Sequence, residues 1–361
     1  MVSGESALTS GTGRYRVIGG PGSPYSFKMR AVLRYRRIAH DWVVPPKFRD
    51  PEGELARAGK GIIPVMQLPD GRYWADSTPM ILALEQMHPG YRSVLPDDPA
   101  DRFLALLLED IADEWLVFAM FDFRWAKPVD QEFCARRQMA GWFGAMPGPE
   151  FDQVVDAFRN RQIGMLARAG DLATNRPLWT DGYRRVLQAI EKQVQHSRFF
   201  FGSRPSIADF GHYGQLSQLA VDPTPSEIIR SEAVRTYQWQ FDLDDASGIE
   251  GEWRDPHAPL GPGVVALLQL AGDTYLPFLT QNTAAIAAGT KAYELKLHGK
   301  SYPNPTRSYK RRCLLWLKAA LAEIEGEPRA RLKTILEQHG CWEPLQFQPG
   351  EQKLVPPLVP L

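Results

Sequence analysis

The chain is poor in several features, and each scarcity removes a class of function. Only three of its 361 residues are cysteine, Cys134, Cys313 and Cys341. They lie too far apart for a disulfide framework or for the close cysteine pairs of a structural zinc site, so a reducing cytoplasm is the expected compartment. The seven histidines are scattered without metal-ligand spacing, and no metal is expected. Net charge is also missing. Forty-two basic side chains cancel 42 acidic ones, which removes a general attraction to nucleic acid or an anionic membrane. No apolar run reaches the roughly 18 residues that cross a bilayer. Residues 264–288 come nearest, and Gly272, Asp273, Pro277, Gln281 and Asn282 interrupt them, so no membrane association is expected. Residues 1–13 have neither the cationic opening nor the apolar centre of a secretion signal and are expected to form a disordered tail. Gly11, Gly13, Gly19, Gly20 and Gly22 fit neither a dinucleotide fingerprint nor a phosphate-binding loop, which argues against nucleotide binding.

What is present is ordinary globular material. Hydrophobic residues make up 44% of the chain, enough for a packed core. At about 150 residues per domain, the length suggests two domains and an extension. Tyr15 to Gly19 reads as a buried strand, turned by Gly20, Pro21 and Gly22. A helix follows over Tyr25 to Ile38, with Met29, Val32, Leu33 and Tyr35 on one face. Lys28, Arg30, Arg34 and Arg37 lie opposite and are expected to face water. Next come a strand at Trp42 to Val44 and a short helix near Glu52 to Ala58. Two strands, Pro64 to Leu68 and Arg72 to Trp74, flank the turn Pro69, Asp70, Gly71. A last helix opens at Asp76, Ser77, Thr78 and Pro79 and runs to about Met87.

This order, strand, helix, strand, short helix, strand, strand, helix, makes a compact α/β unit at 14–88. Residues 89–101, rich in proline and aspartate, form an expected linker. A helical domain is expected over 102–260, beginning with one long helix from Phe103 to Trp125 and including a run from Pro225 to Phe241. The extension, 261–361, should contain a helix at Val264 to Ala288, a hairpin around His298 and Gly299, and helices at Arg307 to Ile324 and Glu327 to His339. Pro344 to Leu361 reads as a strap or tail.

Several short motifs, in order, carry a resemblance. Ser23, Pro24, Tyr25 and Ser26 look like a glutaredoxin active-site turn whose first cysteine has become serine. Ile63 and Pro64 resemble the residue and cis-proline of thioredoxin-like folds. Asp76 and Ser77 resemble the acid-serine pair that opens the next helix in glutathione transferases. Ser206, Ile207, Ala208 and Asp209 form the capping box of that family's core helix. Together these motifs resemble the cytosolic glutathione transferase superfamily over about residues 15–241. The resemblance implies α/β plus all-α architecture: a thioredoxin-like domain, then a helical transferase domain, with an extension that matches no known class.

The resemblance also implies a chemistry. Glutathione would be the co-substrate, and its thiol, with a cysteine-like pKa near 8.5, needs a site that favours the thiolate. Ser23 would donate a hydrogen bond to that sulfur, helped by the dipole of the helix that follows. The tyrosine used by some classes would fall near Gly19, so the serine type is the nearest comparison. No cysteine lies near position 23, which argues against thiol-disulfide exchange. Pro24 and Tyr25 would flank the tripeptide, and Ile63, turned by Pro64, would pair with its cysteinyl backbone. Ser77, the amides beside it and Asp76 would hold the γ-glutamyl end, and Lys60 would meet the glycyl carboxylate. From the aromatic series Trp115, Phe118, Phe121, Phe123 and Trp125, the expected acceptor-pocket residues are Trp115 and Phe118.

The resulting expectation is a cytoplasmic, homodimeric enzyme that adds glutathione to a hydrophobic small molecule. Glutathione-dependent ether cleavage or dehalogenation is one alternative, and a non-catalytic transferase-like scaffold is another. The extension is expected either to cover the helical domain or to overhang the acceptor cleft, closing it with Tyr275, Tyr293, Tyr302 and Trp316.

Overall fold

The computed structural model describes residues 13–45, 51–59, 61–90, 92–166 and 172–348. Lys60, all of the expected tail except Gly13, and residues 349–361 lie outside this set. Four strands, β1 (Tyr15–Ile18), β2 (His40–Val43), β3 (Val65–Gln67) and β4 (Tyr73–Ala75), form one sheet in the order β2-β1-β3-β4. β1 runs parallel to β2, with Val17 opposite Trp42, and antiparallel to β3, with Val17 opposite Met66. The parallel pair needs a crossover, which α1 (Pro24–Tyr35) supplies. β3 and β4 close the hairpin at Gly71, whose φ of 88° suits a residue without a Cβ. The short α2 (Glu54–Arg57) and α3 (Ser77–Met87) complete the unit, which has the expected thioredoxin-like architecture.

The expected long helix is a single rod from Pro99 to Ala126, but it is not uniform. It comprises α4 (Pro99–Ile111), a π-helical turn (Ala112–Leu116) and α5 (Val117–Ala126). Asp98 starts the rod by accepting from the Asp101 amide at 2.9 Å. There follow α6 (Pro128–Phe143), α7 (Gly148–Leu166), α8 (Leu172–Gln193), α9 (Ile207–Leu219), α10 (Pro223–Glu232) and α11 (Val234–Asp244). The last two replace the single run expected from Pro225 to Phe241, because Ala233 leaves helical backbone at φ −153°, ψ 65°.

Every residue of α9 is buried, so its ends must be satisfied internally. Asp209 does this for the N-terminus. Its carboxylate accepts from the Ser206 amide at 2.8 Å, the Ser206 hydroxyl at 2.6 Å and the Phe200 amide at 3.0 Å. α9 also packs on α1, and Gly214 permits the approach: a Cβ there would sit 2.9 Å from the Pro24 carbonyl oxygen.

The extension contains α12 (Pro262–Leu270), a second π-helical turn (Ala271–Tyr275), α13 (Leu276–Ala287), the hairpin β5 (Ala292–Leu297) and β6 (Lys300–Pro305), then α14 (Ser308–Ala322), α15 (Gly326–Gln338) and α16 (Trp342–Gln346). Pro262–Ala287 is long and apolar enough to cross a membrane by length and composition, and most of it is buried inside the protein. Leu267, Tyr275 and Phe278 share one continuous apolar core with Phe103, Trp115 and Tyr213. α14 and α15 both pack on α4, and Arg331 of α15 pairs with Asp98 at 2.7 Å.

Of the basic side chains expected to face water, Arg37, just beyond α1, does so, but Lys28 does not and Arg30 and Arg34 do so only in part. Lys28 is fully buried and meets Glu109, Asp113 and Thr78. Arg30 and Arg34 both pair with Asp244, at 2.7 and 2.9 Å, and Arg37 meets Glu250 at 3.1 Å. The helical domain thus supplies counter-charges for Lys28, Arg30 and Arg34, so α1 is contacted on both faces.

Two measurements check this account. A chain ending at residue 260 strips the cover from α4 and α8; it should fall into the insoluble fraction or lose cooperative unfolding in urea. Asp209→Ala leaves two buried amides unpaired and should cost about 2–4 kcal/mol, read from the urea midpoint.

Candidate functional site

The turn before α1 is shaped by close approach. A Cβ on Gly22 would fall 1.9 Å from Gln138 Oε1, and one on Gly20 would fall 2.3 Å from Trp142 Cζ2. Glycine at these positions is therefore what lets α6 sit against the turn. Ser23 then caps α1 with extended backbone, φ −98° and ψ 112°, and Pro24 occupies the first helical turn. Ser23 Oγ accepts from the Ser26 amide at 3.2 Å, and among the described residues its hydroxyl donates to nothing. Among the described residues that proton has no acceptor, which leaves it available to a ligand.

Positive charge flanks this hydroxyl. Arg124 donates to the Gly22 carbonyl at 2.8 Å and Arg137 to the Pro21 carbonyl at 3.3 Å. Both guanidinium groups share a single carboxylate, Asp222, at 2.7 and 3.4 Å. Two cations against one anion, added to the N-terminal dipole of α1, leave the Ser23 turn electropositive.

The opposite end is electronegative. The Ile63–Pro64 bond is cis, and beyond it Asp76 caps α3 at φ 76°, a left-handed conformation that a non-glycine residue adopts at a cost. Tyr309, from α14, donates its hydroxyl to Asp76 Oδ2 at 2.8 Å. Burial, only partly offset by that bond and by Lys28, raises the Asp76 carboxyl above its usual range. A cavity of about 210 Å³ lies here, walled by Ile62, Ile63 and Pro64 on one side and by Asp76, Ser77 and Tyr309 on another. Asp113 and Glu114 of the π-helical turn also face it. Tyr25 lines the cavity with its ring, but its hydroxyl is already engaged, donating to the Asp113 carbonyl at 2.8 Å.

A second cavity, of about 370 Å³, opens beside Ser23 and shares Tyr25, Ile62 and Ile63 with the first. Its walls are mostly apolar, with Met120, Phe121, Trp125, Trp142 and Phe158 prominent. Trp115 and Phe118, expected on this wall, are not there. Trp115 is buried against Phe278, and Phe118 stacks on Trp179 with the ring centroids 5.5 Å apart. Phe121 and Trp125, one and two turns further along α5, line the cavity instead. Among the described residues the extension does not overhang this cavity; it reaches the Asp76 end instead, through Tyr309.

Adjoining the Asp76 cavity, through Asp113 and Glu114, sits the Lys28 cluster. Lys28 Nζ lies 2.6 Å from Asp113 Oδ2, beside Glu109, and Lys310 pairs with Glu114. Burial opposes the Lys28 charge, yet Asp113 and Glu109 outweigh it and hold its ammonium above the usual range. Among the described residues no group of acids, histidines or cysteines could hold a metal. All three cysteines are free and buried, and burial raises each thiol, so none competes as a thiolate.

The structure therefore brings Ser23, Pro24, Tyr25, Ile63, Pro64, Asp76 and Ser77 together, sends Trp115 and Phe118 elsewhere and leaves Lys60 outside the described residues. Reasoning from sequence missed Arg124, Arg137, Asp113, Glu114 and Tyr309. One signal was available. Glu109 with Asp113, and Asp110 with Glu114, are spaced four apart in an otherwise apolar helix, a stripe that calls for buried cations.

With this geometry established, known proteins offer a comparison. The family model for the glutathione S-transferase N-terminal domain matches residues 17–92, and that for the C-terminal domain matches residues 152–260. No curated protein matches the chain. Among solved structures, a glutathione S-transferase from Methylobacillus flagellatus KT with glutathione bound is 19% identical. It covers 63% of this chain and 92% of its own, with a TM-score of 0.38. The Tau class glutathione S-transferase from mango is 16% identical, covering 64% and 88%, with a TM-score of 0.39. A beta-etherase from Sphingobium sp. strain SYK-6 is 17% identical, covering 63% and 93%, with a TM-score of 0.42. The two family matches, in chain order and together spanning just over half of the residues, show that the chain belongs to the glutathione S-transferase superfamily.

Proposed function

We propose that the protein binds glutathione in the smaller cavity, holds its sulfur as a thiolate at Ser23 and delivers it to a hydrophobic electrophile in the larger one. The observation that carries this reading is the junction of the two cavities. They share Tyr25, Ile62 and Ile63, and Ser23, with an uncommitted hydroxyl, stands on the wall of the larger one. An extended tripeptide anchored at α3 would bring its central cysteine to that junction. Its γ-glutamyl carboxylate meets Ser77 and the first amides of α3, and its ammonium meets Asp76.

Lowering a thiol pKa by two units takes about 2.7 kcal/mol of differential stabilisation. The Ser23 hydroxyl, the α1 dipole and the excess charge of Arg124 and Arg137 over Asp222 all act in that direction. The sulfur lone pair then forms the bond to carbon while the acceptor's electrons move to its leaving group or activating substituent. An alkoxide leaving group makes the same step an ether cleavage, and a halide makes it a dehalogenation. The apolar wall at Met120, Phe121, Trp125 and Trp142 excludes water and holds the acceptor against the thiolate.

Ser23→Ala should lower kcat toward a model electrophile by about 100-fold and change the calorimetric Kd for glutathione by less than about threefold. A thiolate absorbance titration should show the bound thiol of the unmodified protein ionising well below its free value. Glutathione binding with an unshifted thiol would identify a non-catalytic module instead. Tyr309→Phe removes the hydroxyl on Asp76 and should weaken glutathione by about 3- to 10-fold with kcat nearly unchanged. An equal loss for a thiol lacking the γ-glutamyl group would contradict that placement.

A further inference from the structure

Behind the Asp76 cavity lies another, of about 290 Å³, bounded by α3, α4 with its π-helical turn, and α14. The two meet at Asp113, Glu114 and Tyr309, which face both. One wall is apolar, formed by Leu82, Leu106, Trp316, Leu317 and Ala320. The other carries Glu109, Asp110, Asp113 and Glu114, with Glu323 further along α14, and among the described residues no lysine or arginine lines the space.

The counter-charges nearby do not balance these acids. Lys28 serves Glu109 and Asp113, and Lys310 serves Glu114. Asp110 has a neutral donor, the Tyr275 hydroxyl at 2.6 Å. Arg312 lies over the Trp316 and Tyr309 rings, at 4.6 and 5.6 Å from their centroids, without lining the cavity. Two ammonium groups thus serve three of the five acids, and Asp110 and Glu323 have no cationic partner among the described residues. The imbalance is visible at one atom: Asp113 is 4% exposed, yet its Oδ1 is buried with no hydrogen-bond partner among the described residues. A buried carboxylate oxygen without a donor is costly, and a cationic donor is what would relieve it. Burial, reinforced by Glu114, also pushes the Asp110 carboxyl up to about 7, as expected where negative charge is in excess.

We propose that this cavity binds a small organic ammonium compound, its charged nitrogen on Asp113 Oδ1 and its apolar body against Leu82, Leu106 and Trp316. The site is separate from the acceptor cavity at Ser23 and requires no glutathione. Trp316 and Tyr309 add aromatic faces that favour a cation close by.

Calorimetric titration of the full chain with hexylamine, and with hexan-1-ol as its uncharged counterpart, tests the assignment. Hexylamine should bind saturably at one site and hexanol at least about tenfold more weakly. Asp113→Asn should weaken hexylamine by about tenfold or more. Ala320→Trp, at a partly exposed position of the apolar wall, fills the cavity away from Asp76; it should abolish hexylamine binding and keep glutathione binding. Saturating glutathione should leave the hexylamine Kd within about threefold. The proposal is overturned if hexylamine does not saturate, if hexanol binds equally, or if Ala320→Trp still binds the amine. Full displacement by glutathione overturns it as well, since the ammonium would then belong to the Asp76 cavity. Should Asp113→Asn fail to fold, the hexanol and Ala320→Trp comparisons decide alone.

Discussion

A lysine ammonium held without water is the constraint around which this molecule is arranged. Taking Lys28 and its partners out of solvent costs several kcal/mol per ion, recovered only where the opposing charges are held in good geometry. Four segments must therefore keep fixed positions: α1 for Lys28, α3 for Thr78, α4 for Glu109 and the π-helical turn for Asp113. Ser23 stands just over one helical turn upstream of Lys28, and the Tyr25 hydroxyl is tied to the carbonyl of Asp113 itself. The α/β unit and the helices are consequently joined by an ionic cluster that adjoins the candidate site.

The charge pattern across the two cavities follows from that joint. The Ser23 end is electropositive, through Arg124, Arg137 and the α1 dipole, while the Asp76 end faces three carboxylates. In the proposed reading a zwitterionic tripeptide has one favourable direction, with its ammonium toward Asp76 and its sulfur toward Ser23. Orientation then comes from the field of the site as well as from individual hydrogen bonds.

Much of this was legible in the sequence because it is locally encoded. Proline and glycine turns mark the α/β order, and Ser23, Asp76 and the Ser206–Asp209 pair stand where helix starts need oxygen acceptors. The failures have a common physical source. Reading α1 as amphipathic assumes water opposite the core, whereas a second domain with its own counter-charges occupies that side. Trp115 and Phe118 were carried over from the resemblance, whereas here Trp115 packs on Phe278 and Phe118 on Trp179 and Phe278, all residues contributed by helices far away in sequence. Tyr309 had no local signal at all, since its meaning lies in a partner at the other end of the chain.

That distance matters for how the protein is made. The hydroxyl that steadies Asp76 lies 233 residues downstream of it, and Lys310, which answers Glu114, is its neighbour in sequence. During synthesis the thioredoxin-like unit leaves the ribosome long before either side chain exists. For most of translation Asp76 and Glu114 are without these partners, and the end of the cavity they share stays open. The site is completed among the last steps of synthesis, so a chain released early carries Ser23 and Ser77 but not the closed Asp76 end that a full-length chain presents.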